Sequence, residues 1–100
     1  MMSPERSQAY GRVLHTIEEI GPTKLHADEQ EQVRYAADSL LFCADLRTDD
    51  ATLDSYENTE RMLERLVQSG RWERSTADRL SDNLRACGPA GEFFEVPQAA

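Results

Sequence analysis

The chain has 100 residues, 39% hydrophobic and 30% charged, and a net charge of −8. That is the size and balance of one soluble domain with a single core, not of a disordered segment. Residues 26–58 hold nine acids against Arg34 and Arg47, while residues 59–91 hold six arginines against five acids. This distribution disfavours nucleic acid as a ligand and suits a basic protein partner.

In chain order, the first helix is expected to take Ser3 as N-cap and Pro4 as its first residue, and to stop at Ile20 before Gly21-Pro22. Its apolar positions, Tyr10, Val13, Leu14, Ile17 and Ile20, recur at helical spacing, with His15 opposite. A second helix is expected from His26–Asp28 to about Leu46, with Asp28, Glu29 and Glu31 in its first turns, where the helix dipole favours acids. The third is placed from Thr48–Asp50 to Ser69, with a stripe of Leu53, Tyr56, Leu63, Leu66 and Val67 and with Thr52 and Thr59 between. Ser75 to Asp78 reads as a capping box for the fourth, with Glu73 as an earlier cap. Ala77, Leu80, Leu84 and Cys87 form its inner face, and Gly88-Pro89 ends it. Trp72 is expected to fold over the bundle end.

No strand-like alternation interrupts these helices, and the connections are about two to six residues. The predicted fold is therefore all-α: an up-down antiparallel four-helix bundle over residues 1–89, followed by a short irregular C-terminal tail at 90–100. No apolar segment follows Met1-Met2-Ser3-Pro4-Glu5-Arg6, and the longest apolar run is Leu40 to Ala44. A secretory signal and a membrane helix are thus not expected. With two cysteines and no signal, a cytoplasmic setting is expected.

Asp38-Ser39-Leu40 resembles the attachment motif of acyl carrier proteins, which are small, acidic and four-helical. The resemblance implies a phosphopantetheine arm on Ser39. In that family a Leu-Gly-x loop precedes the triplet, so the serine opens a helix. Here Tyr35-Ala36-Ala37 precedes it, and Phe42-Cys43-Ala44-Asp45 replaces the valine-glutamate-leucine that usually follows. Ser39 then reads as a mid-helix packing residue bonded to a carbonyl one turn back.

Cys43 and Cys87 fall in the last turns of two parallel helices and so at one end of the bundle, where diagonal helices rarely bring cysteines into bonding range. They read as buried reduced thiols. Neither has a histidine at metal-ligand spacing. Asp45, Asp49, Asp50 and Asp54 lack the alternating ligands and central glycine of a calcium loop and read as caps. No nucleophile has an evident base, and no glycine-rich loop is present. No catalytic, cofactor-binding or metal-binding set is therefore expected.

The second helix carries two apolar stripes at 100° per residue. Val33, Ala36, Ala37, Leu40 and Ala44 form one, while Tyr35, Phe42 and Leu46 form the other on nearly the opposite side. Three occupants suit the second stripe: the chain's own Phe93, Phe94 and Val96, a second copy, or a different partner. The expected function is a non-enzymatic interaction or adaptor protein that self-associates through Tyr35, Phe42, Leu46, Phe93 and Phe94, with the acids from Asp28 to Asp54 steering a basic partner. The alternative is a small-molecule-binding or acyl-carrier-like bundle.

Overall fold

Helix α1 (Pro4–Ile20) opens on Ser3, whose hydroxyl accepts the Arg6 N–H at 3.2 Å. It closes at Gly21, where φ is +79° and the Gly21 N–H donates to the Ile17 carbonyl. The structure is a computed structural model and describes residues 3–89. Helices α2 (Ala27–Leu41), α3 (Asp50–Gln68) and α4 (Arg74–Cys87) follow, with a 3₁₀ turn at Leu46–Thr48 between α2 and α3. Among the described residues no strand occurs, and no helix is long and apolar enough to cross a membrane.

Long-range contacts establish the antiparallel order. Tyr10 donates to Asp38, while Arg6, one turn earlier on α1, reaches Leu41 at the far end of α2. Arg12 bonds Asn83 and Arg6 bonds Cys87, so α4 also runs against α1. Between α3 and α4 the pairs are Glu64 with Arg74, Glu60 with Ser81 and Tyr56 with Arg85. Each pair steps back along one helix as it steps forward along the other. The fold is a four-helix bundle in which α2 and α4 touch across the close diagonal and α1 and α3 do not.

The core is where the apolar stripes meet. Val13, Ile17, Leu25, Val33, Leu40, Leu80 and Leu84 are all at or near zero exposure. On α3 the centre of the buried face differs from the expected stripe. Thr52, Thr59, Met62, Leu63 and Leu66 are buried, whereas Leu53, Tyr56 and Val67 are only partly covered. A threonine fits there because its hydroxyl is satisfied locally: Thr59 Oγ1 donates to the Ser55 carbonyl at 2.9 Å, and Thr52 Oγ1 to the Asp49 carboxylate at 2.8 Å. The methyl groups remain available for packing.

Two boundaries depart from expectation. α4 starts at Arg74 with Glu73 as N-cap, the earlier cap, and not at Ser75. α2 ends at Leu41, well short of Leu46. The carbonyls at this end are bonded from α1. The Arg6 guanidinium donates to the carbonyls of Leu40 (2.7 Å), Leu41 (3.0 Å) and Cys43 (2.8 Å) and, through Nε, to that of Cys87 (2.8 Å). These carbonyls at the helix end accept from a side chain, and that of Leu40 also accepts the Cys43 N–H. The chain turns at Phe42, and the link to α3 lengthens to eight residues.

Candidate functional site

Leaving α2 at Leu41 divides the predicted second stripe. Leu46 enters the 3₁₀ turn and is 2% exposed, so it belongs to the core and not to an outer face. Tyr35 and Phe42 stay outside, at 61% and 76% exposure. Tyr35 is on α2 and Phe42, seven residues on, is its C-cap, just past the last helical residue. Phe93 and Phe94 lie outside the described residues.

Tyr35 forms one wall of an open groove of about 570 Å³ along the outer side of α2 and α3. Gln32 lies beside it on α2; Asp54, Asn58, Arg61 and Arg65 supply the α3 wall. Because α2 and α3 are antiparallel, the end of α2 at Phe42 faces the start of α3, with Ala51 and Asp54. The groove therefore has an acidic end at Asp54 and a basic end at Arg61 and Arg65. Arg61 bonds only the neutral side chain of Asn58, and Arg65 has no hydrogen-bond or ion-pair partner among the described residues. Two guanidinium groups one turn apart are left open to a ligand. Sequence reasoning passed over these arginines, since their i, i+4 spacing looks like any solvated helix face until α2 is laid beside it.

The other singled-out residues have structural work. Ser39 sits in the last turn of α2, two residues from its end, so it neither opens a helix nor lies three turns inside one. Cys43 lies beyond α2 and not in its last turn, yet its carbonyl shares the Arg6 guanidinium with that of Cys87, so both cysteines do occupy one end of the bundle. Both are free and buried. Burial pushes the Cys87 thiol up to about 11 and raises Cys43 as well. Such thiols are poor nucleophiles at neutral pH.

Of the acidic run, Asp45 and Asp49 turn out to be caps, while Asp50 and Asp54 lie within α3. Asp45 accepts the Arg47 N–H at the 3₁₀ turn, and Asp49 accepts the N–H of Thr52 at the start of α3. Side-chain hydrogen bonds from Arg47 and Thr52 respectively hold both carboxyls below the usual range. Among the described residues no three His, Cys, Asp or Glu side chains converge as metal ligands. His15 pairs with Glu19 on the surface, and the N–H of His26 donates to Glu29 at the start of α2. Trp72 is buried at the bundle end, its indole N–H donating to the Lys24 carbonyl at 2.7 Å.

One polar cluster lies between α3 and α4. Ser81 Oγ donates to Glu60 at 2.6 Å, and Arg85 donates to Ser81 Oγ at 2.8 Å and to the Tyr56 hydroxyl. Burial pushes the Tyr56 hydroxyl up to about 12, so it remains protonated. Ser81 is itself buried and bonded on both sides. This chain of bonds fixes the register of two helices.

Comparison with protein-family models, with curated proteins and with solved structures finds no match to this chain.

Proposed function

We propose that this chain is a non-enzymatic interaction protein that self-associates through the outer face of α2, centred on Tyr35 and Phe42. One observation carries the reading. Of the large hydrophobic side chains among the described residues, these two remain mostly exposed, one on α2 and the other at its C-cap. Exposing one aromatic is ordinary; two on α2 and its cap, one of them lining a groove, suit a protein partner. Leu46 is not part of it. Two buried, reduced cysteines support a reducing, cytoplasmic setting.

Sedimentation equilibrium of the full chain over a range of concentrations tests this. The expected result is a dimer that the double substitution Tyr35→Ser, Phe42→Ser converts to monomer, with helix content and Tm kept because neither ring supports the core. A wild-type chain that stays monomeric throughout, or a double variant that dimerises as well as wild type, overturns the proposal.

A further inference from the structure

One wall of the groove beside Tyr35 is α3, and opposite charges stand at opposite ends of that wall. Asp50, Asp54, Asn58, Arg61 and Arg65 recur at spacings of three or four residues, so they share one face of the helix, and all five are exposed. Asp50, Asp54 and Arg65 have no hydrogen-bond or ion-pair partner among the described residues, and Arg61 bonds only the neutral Asn58. Within one chain these charges do not satisfy one another. On this face the neighbours one turn apart carry the same sign, and Asp54 stands about 10 Å along the axis from Arg61. Glu57, one turn before Arg61, forms no ion pair with it.

The pattern is complementary to itself. Asp54 and Arg61 stand equally far from the midpoint between Glu57 and Asn58, and so do Asp50 and Arg65. A two-fold axis through that midpoint, perpendicular to α3, lays a second α3 antiparallel on the first and sets each aspartate against an arginine. Ala51 and Ser55, which line the groove beside them, are small and leave room for a second helix.

We propose, building on the surface reading above, that two copies pair in this way. α3 lies antiparallel against α3 of a second copy, with Asp54 to Arg61 and Asp50 to Arg65 as ion pairs between the copies, each formed twice. The aromatic groups fit the same axis. Glu29, six residues before Tyr35, bonds Arg71 just past α3, and Leu41, six residues after it, ends α2 on the side where α3 begins. Tyr35 therefore stands beside the middle of α3, and the axis brings the two tyrosines together. Phe42 lies at the aspartate end, which meets the arginine end of the other copy, where an aromatic face suits a guanidinium. A chain of net charge −8 resists its own approach, and this arrangement supplies a local attraction that overcomes it.

Charge reversal in the full-length chain tests this by sedimentation equilibrium at low ionic strength. Asp54→Arg and Arg61→Glu each turn two attractive contacts into repulsive ones, and each is expected to weaken dimerisation by about tenfold or more. Both substitutions together restore the pairs in the reversed sense at an unchanged net charge of −8, so the dimer is expected to return at close to the wild-type Kd. The reversed chain should not pair with wild type, because antiparallel contact then sets like charges together at both central pairs. Native mass spectrometry of wild type mixed with the isotope-labelled reversed chain reads this. Single variants that dimerise like wild type, while the Tyr35, Phe42 variant is monomeric, sink the α3 pairing and leave the surface reading standing. Loss of the dimer in the single variants without recovery in the double variant also rejects it, and so does a reversed chain that mixes freely with wild type. A monomeric wild-type chain removes both proposals together.

Discussion

Arg6 bonds four main-chain oxygens and, among the described residues, no carboxylate. A cation is well placed there, because the carbonyl ends of α2 and α4 both carry partial negative charge. Arg6→Ala leaves those carbonyls without their donor, and we expect a loss of about 3 kcal/mol in denaturant unfolding. Hydrogen exchange should quicken first at the amides of Phe42 and Cys43, which close the end of α2; slow exchange there in the variant would show that the guanidinium does not hold this turn. The cysteines beside it are governed by burial. Cys87 is fully buried, and with its thiol pushed up to about 11 it carries almost no thiolate at pH 7. A thiol reagent at neutral pH should therefore label neither cysteine in the native chain and both in denaturant. Prompt native labelling of either one would contradict the buried placement.

At the scale of elements, helix ends are held by tertiary contacts as well as by local ones. Glu29 shows both. Its carboxylate accepts the His26 N–H at the start of α2 and the Arg71 guanidinium just past α3. Burial pushes this carboxyl up, but the His26 N–H and Arg71 together outweigh burial and hold it below its ordinary value. Because the folded value is depressed, the contribution is complete above the unfolded glutamate range and is lost as pH falls through and below about 4. Glu29→Gln should cost about 1 kcal/mol at pH 7 and much less at pH 3. Melting curves of both chains at the two pH values check this; a gap that stays constant with pH would assign the loss to packing. The same element shows why sequence placed the end of α2 too far along. Phe42-Cys43-Ala44-Asp45 contains neither glycine nor proline, and its apolar residues continue the helical pattern. The carbonyls at the actual end are bonded by Arg6, some 35 positions away in sequence, and no local rule detects such a partner.

For the whole molecule, stability rests on one core to which all four helices contribute, and α4 enters it through Leu80 and Leu84, both at zero exposure. Leu84→Ala should cost about 3 kcal/mol and lower Tm by roughly 10 °C or more. A shift of only a degree or two in a thermal melt would mean that the site collapses around the cavity or is not packed as described. The outer surface is under a different constraint. A net charge of −8 opposes the approach of two copies, so dimerisation requires a local surface where opposite charges meet. The basic end of the α2–α3 groove is one such place.

Composition and spacing were enough to determine the helical class, the limits of α1, the start of α2, the span of α3 and the inner face of α4. These follow from caps, glycine and proline stops and the 3.6-residue period, all of which act within a few residues of the chain. Tertiary structure alone decided that α2 ends at Leu41, that Leu46 is core, that Thr52 and Thr59 lie at the centre of the buried face of α3, and that Arg61 and Arg65 share a groove with Tyr35. Each of these depends on which helix lies alongside which. That choice is made by packing between segments distant in sequence, where a guanidinium can bond the end of a helix and a neighbouring helix can turn an ordinary polar face into one wall of a groove.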